Sequence, residues 1–245
     1  MKNLFITLIL GAICLKGIAQ KTFDKDLFEV SRNMEKLKKF SVNLRYTMYL
    51  DNNMAKPYQT TSQWLKMDGL KMSLKQDGDF ELIETDRERV NISYGDGRVY
   101  YSKFQTPQQI SDEEHDRKVD ALFTEFMGND SLRMFIEKIT VISDKNGLRE
   151  YEIVYNAGDY TKMRIGVDIH KKVFAYIFAY YSEKRVIPEL GQKQRGVCLR
   201  LEYKDLNTSP VFDQSEFSVG KIITKGEKEK IGLRQKFQKY KLILL

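Results

Sequence analysis

The chain has 245 residues, 42% of them hydrophobic and 31% charged, with a net charge of +7 and a mean hydropathy of −0.49. That is enough sequence for one large β-rich domain or two small ones. Two cysteines and two histidines argue against a disulfide scaffold and against a histidine-rich metal centre.

The first nineteen residues (1–19) follow the pattern of a secretory leader. Lys2 supplies a positive start, and residues 4–14 form an apolar run too short for a permanent span, which takes about 20 residues. Gly17-Ile18-Ala19 places small residues at the −3 and −1 positions, which predicts cleavage before Gln20 and a periplasmic protein. Cys14 is not a lipidation site on this reading, because Ile13 stands where that peptidase needs a small residue. The leader takes Lys2, Lys16 and Cys14 with it, leaving Cys198 as the one mature cysteine, expected as a small buried hydrophobe. From Lys221 onward eight Lys or Arg face Glu227 and Glu229, so the body, 20–220, is close to neutral. A basic pI confined to the tail of an exported chain argues against a nucleic-acid partner.

Leu27, Val30, Met34 and Leu37 recur at spacings of three and four, which predicts an amphipathic helix capped by Thr22 or Asp24. At Phe40 the period changes to two: Val42, Leu44, Tyr46 and Met48 alternate with polar neighbours along a half-buried strand. Strands are expected at 59–67, 70–76, 80–85, 89–94 and 98–103. Asp68-Gly69, Asp77-Gly78 and Asp96-Gly97 mark tight hairpins between several of them. A polar stretch, 107–127, carries Val119, Leu122, Phe123 and Phe126 at helical spacing, and a second short helix is expected over 131–139. Strands then resume at 151–156, 162–169, 172–181 and 197–204, with a last one near 216–222. The expected fold is α+β. It is a strongly curved antiparallel sheet or incomplete barrel of about eleven strands, with an N-terminal helix and two inserted helices as a lid. A single domain, 20–220, fits better than two, followed by a basic amphipathic tail, 221–245.

In that order the motifs resemble the LolA/LolB family of periplasmic lipoprotein carriers. Lys39-Phe40-Ser41-Val42 is similar to the family's first strand, Gln63-Trp64-Leu65-Lys66 to its second, and Gly95-Asp96-Gly97-Arg98-Val99-Tyr100-Tyr101 to a later hairpin. Met163-Arg164-Ile165, Arg200-Leu201-Glu202-Tyr203 and the stretch 213–217 resemble its closing elements. The resemblance implies an incomplete barrel around an apolar cavity that takes acyl chains. The family's cargo-gating arginine follows the second strand, and here that position is Met67, a departure that bears on lipoproteins as cargo.

No catalytic constellation is legible. His115 sits in a charged stretch and His170 beside Lys171 and Lys172, neither with metal-ligand spacing. Glu113-Glu114 and Asp112-Asp116 read as a solvated helix face, and no nucleophile elbow is present. Neither an enzyme, a cofactor nor a metal is expected. A binding cavity has more support. Residues 173–181 are apolar on both faces, with Phe174, Tyr176, Phe178 and Tyr180 expected to point one way. Such a strand needs a cover on each side, whether core or ligand. Val42, Leu44, Tyr46, Met48, Leu70, Met72 and Leu74, with Phe174, Tyr176 and Phe178, are the candidate lining, and ordinary core packing accounts for them equally. Burying ten acyl methylenes at about 0.8 kcal/mol each yields roughly 8 kcal/mol before ordering costs.

In the tail, Leu233, Phe237, Tyr240 and Leu244 recur at four, three and four, with Arg234, Lys236, Lys239 and Lys241 on other faces. This predicts a basic amphipathic helix that lies on an anionic membrane, docks on an envelope protein or packs on the domain. The sequence thus reads as a periplasmic carrier of a lipid or lipidated protein. The alternative is a protein-interaction module of the same fold, an envelope-stress sensor or secretion accessory.

Overall fold

The computed structural model describes residues 2–50, 54–104, 134–182, 186–187, 192–193, 197–226 and 230–245. Helix α1 (Lys2–Lys36) is followed by β1 (Lys39–Tyr49), β2 (Gln59–Asp68), β3 (Lys71–Gln76), β4 (Phe80–Glu84), β5 (Glu88–Ser93) and β6 (Arg98–Lys103). Then come β7 (Ile136–Lys145), β8 (Leu148–Tyr155), β9 (Tyr160–Asp168), β10 (Val173–Tyr181), the short β11 (Val186–Ile187) and β12 (Gln192–Lys193), and β13 (Cys198–Asn207). Two 3-10 turns, Gln214–Phe217 and Val219–Lys221, lead to β14 (Ile223–Lys225) and β15 (Ile231–Leu233). A third 3-10 turn, Gln235–Phe237, precedes β16 (Lys241–Leu244). Twelve strands share the hydrogen-bonded order β16-β6-β5-β4-β3-β2-β1-β13-β10-β9-β8-β7. β16 is parallel to β6, and the other described registers are antiparallel.

The chain divides into two compact units. One gathers α1, β7 to β10 and the first part of β13; the other gathers β2 to β6 and everything from residue 204 on, and β1 contributes to both. In the first unit, α1 lays Phe23, Asp26, Val30 and Met34, spaced by three, four and four, into the core. The Phe23 ring meets Tyr151 edge-on at 5.0 Å. Asp26 accepts from the Tyr151 hydroxyl at 2.6 Å and from Arg149 at 2.9 Å. Asn33 donates to the Lys171 and Lys172 carbonyls, tying the helix to the β9–β10 turn. Thr22 and Asp24 lie within α1 rather than at its cap, and the Thr22 hydroxyl donates to the Ile18 carbonyl one turn back. No described helix is long and apolar enough to cross a membrane.

The meander β2–β6 forms where the Asp-Gly turns predict it, Gly69, Gly78 and Gly97 all having positive φ, a conformation open to glycine at no steric cost. Elsewhere the strand count exceeds the expected eleven: among the described residues fourteen strands have three or more residues, besides the two-residue pair β11–β12. The expected helix over 107–127 lies outside the described residues. The second expected helix is not seen where it is described, because Ile136 to Ile139 open strand β7. Ile136, Ile139 and Val141 are β-branched and favour an extended backbone. Asn146 and Gly147, with φ of 54° and 78°, then supply the paired positive φ of a two-residue hairpin into β8. The strand expected near 216–222 is instead two 3-10 turns, with the strand itself at Ile223–Lys225. The C-terminal helix is also absent. Its residues form β15, a 3-10 turn and β16, because they complete pairings with Ile223–Lys225 and with the distant β6.

Candidate functional site

The registers of the second unit set two faces. Leu65, Leu74, Leu82, Asn91 and Tyr100 form a row across β2 to β6, and Met67, Met72, Glu84 and Arg89 form the next. Ile83, Val90, Ile92, Val99 and Tyr101 alternate onto the opposite face. There they pack with Val219, Ile222, Ile223 and Phe237 from the C-terminal segment. The C-terminal segment thus covers that face over β4 to β6.

The face of Leu65 and Met67 is different. Leu65 and Met67 are buried, whereas Met72, Leu74, Phe80 and Leu82 on the same face are only half-buried. Val42 and Leu44 of the neighbouring β1 are buried, and Leu70 is half-buried in the β2–β3 turn. Polar side chains interrupt this apolar surface, Gln63 and Gln76 on the row of Phe80 among them. Glu84 is buried and held by Arg89 at 2.5 Å. The Asn91 side-chain oxygen is shielded from solvent and meets no hydrogen-bond donor among the described residues. Met67, where the resembled family has an arginine, is part of this wall and carries no charge.

The remaining lining candidates lie in the first unit. Tyr46 and Met48 are half-buried in β1. The aromatic run of β10 does not point one way throughout. A bulge between Phe174 and Tyr176 pairs Phe174 with Val167 and Tyr176 with Gly166. Phe174 therefore stacks near Tyr203, at 6.1 Å, while Tyr176, Phe178 and Tyr180 share the other face. That face is amphiphilic. Phe178 and Tyr180 stack at 4.7 Å, Lys162 sits over the Tyr180 ring, Arg200 over Tyr176, and Arg164 pairs with Glu152. Burial, then the hydrogen bond to Glu150, holds the Tyr176 phenol above its ordinary range. Cys198 is buried against Phe178 and Tyr180, as its type predicts.

Among the tail residues, Arg234, Lys236, Lys239 and Lys241 are exposed, Phe237 is buried and Tyr240 half-buried. Arg234 donates to the Gly220 carbonyl at 2.9 Å, and Tyr240 packs edge-on against Tyr94 and Phe237. His170 is exposed over Gly147, while His115 and the acidic stretch 112–116 lie outside the described residues. No group of three His, Cys, Asp or Glu among the described residues is placed to hold a metal.

Two clefts of the second unit were not anticipated. One, of 350 Å³, is lined by Tyr101, Lys103, Lys225, Gly226, Ile231, Leu244 and Leu245. The other, of 540 Å³, contains Trp64. The alternation of Trp64 and Lys66, exposed and half-buried, with buried Leu65 and Met67 is the signal that would have found it.

No family model matches the chain, and no curated protein does. Solved structures similar to it include a LolA superfamily protein. That protein, from Nitrosomonas europaea, is 11% identical, with a TM-score of 0.32 over 80% of this chain and 97% of its own. An uncharacterized conserved protein from Thermus thermophilus is 7% identical, with a TM-score of 0.43 over 91% and 99% of the two chains. MucB of Pseudomonas aeruginosa, solved with MucA, is 12% identical with a TM-score of 0.39. This chain aligns over 80% of its own length to 60% of MucB's.

Proposed function

We propose that the protein is an exported, periplasmic carrier that binds an apolar ligand, a lipid or the acyl part of a lipidated protein. One observation carries this reading. The β2–β6 sheet packs the β4–β6 part of one face against its own C-terminal segment and leaves on the other a half-buried apolar patch, over Met72, Leu74, Phe80 and Leu82. Methionine adapts to irregular apolar shapes, and a row of thioether and leucine side chains suits an acyl chain better than a rigid aromatic ligand. The leader and the motif order support the same reading. The exposed Arg234, Lys236, Lys239 and Lys241 support a role for the C-terminal segment in approaching an anionic membrane or envelope partner, each cation contributing up to about 1 kcal/mol.

The test is binding of a hydrophobic fluorophore displaced by fatty acid. The native protein gives saturable, displaceable fluorescence. Leu74→Lys, on the half-open row, weakens binding about tenfold or more, while its thermal midpoint falls by only about 2–4 °C. Undiminished fluorescence in this variant would place the ligand elsewhere.

A further inference from the structure

Trp64 is the one tryptophan of the chain, and it is 40% exposed. Tryptophan carries a large, rigid apolar face with one polar handle, a combination enriched at binding surfaces. Here it lies in the 540 Å³ cleft, within the range of about 300–1,000 Å³ typical of small-molecule sites. The floor is built by strand register, since Trp64 pairs with Lys75 and Lys75 with Glu81, while Lys66 pairs with Ser73 in the next row. One wall is the pair of 3-10 turns that carry Glu216 and Lys221.

The charges lining the cleft balance in number, and two pairs meet directly. Lys66 meets Glu216 at 2.5 Å, and Lys75 meets Asp77 at 3.0 Å. Glu81 accepts from the Tyr94 hydroxyl at 2.9 Å. Three lysines and three carboxylates leave no net field to draw an anion or a cation. What they do offer is a ring of hydrogen-bond donors and acceptors around one flat apolar surface. A ligand matching that arrangement is uncharged, polyhydroxylated and apolar on one side. We infer that the Trp64 cleft is a binding site for a neutral saccharide, whose C–H face stacks on the indole while its hydroxyls meet Lys66, Lys75, Ser73 and Glu81.

This site is separate in chemistry from the apolar surface proposed for lipid, and lies on the other face of the same strands by alternation. The two proposals therefore fail independently. Titration of the full chain with maltotriose and with triacetylchitotriose, read by the emission of its one tryptophan, gives a saturable change with at least one of them. Calorimetry on Trp64→Ala then shows binding weakened about tenfold or more, Trp64→Phe recovers part of it, and fluorophore binding stays as in the native protein. Emission that is unmoved by either sugar at millimolar concentration overturns the inference. So does sugar binding that survives in Trp64→Ala, or emission that responds only to an anionic or acyl ligand.

Discussion

Phe237→Ala is expected to destabilise the protein by about 3–5 kcal/mol, the range for deleting a buried phenylalanine side chain. Phe237 is 6% exposed and packs with Ile83, Val90, Ile92, Val99 and Tyr101, together with Val219, Ile222 and Ile223. Its backbone is fixed on either side. The Phe237 N–H donates to the Arg234 carbonyl, Tyr240 N–H to the Phe237 carbonyl, and β16 adds to β6 from Lys241 to Leu244. Truncation after Gly220 is more severe still, since it strips Ile222, Ile223 and Phe237 from that face and bares a contiguous apolar surface. The truncated protein is expected to aggregate on expression, measured by light scattering and by the loss of a cooperative urea transition. A soluble, cooperatively folded truncation with the native midpoint would mean that 221–245 is an appendage and not part of the core.

Asp26→Ala is expected to cost about 3 kcal/mol, at the lower end of the range for breaking a buried charge pair. That lowers the thermal midpoint by about 6–12 °C. The carboxylate is 8% exposed and receives Tyr151 at 2.6 Å and Arg149 at 2.9 Å. Its loss leaves a phenol shut away beneath α1 without an acceptor. Arg149 keeps Asp144, at 2.7 Å, which limits the damage. Burial, then the hydrogen bond to Asp26, holds the Tyr151 pKa above its ordinary value. Because the folded-state value lies above the unfolded one, this contribution is complete below about pH 10 and is lost as the pH rises beyond it. Calorimetric melts should show the native midpoint falling in that alkaline window. A melt of Asp26→Ala that coincides with the native one would show that α1 is held by Phe23, Val30 and Met34 alone.

How far the sequence disclosed this structure depended on whether the decisive interactions were local. The β2–β6 meander was legible because Asp-Gly turns and alternating burial are encoded within a few residues, and the helical face Val30–Met34 for the same reason. Asn146-Gly147 carries an equally local hairpin signal, yet the apolar residues before it at spacings of three masked β7 as a helix. The tail shows the limit of periodicity. Leu233, Phe237, Tyr240 and Leu244 satisfy a helical spacing, but they sit in two strands and the turns between them, with Leu233, Phe237 and Tyr240 packed on one core and Leu244 exposed. What selects the strands is pairing with β14 and with β6, the latter more than a hundred residues away in sequence, which no local pattern reveals. The same holds for the candidate site. That Met72 and Leu74 share a face was legible by alternation, whereas the turn of Phe174 away from Tyr176 depends on a bulge in register that composition does not encode.

The most direct test of the carrier reading is a native mass spectrum of the full protein purified without detergent. The account predicts peaks displaced above the bare chain by the mass of an acyl lipid, and their loss in Leu74→Lys. A spectrum of bare chain alone, unchanged after incubation with fatty acid, would contradict it.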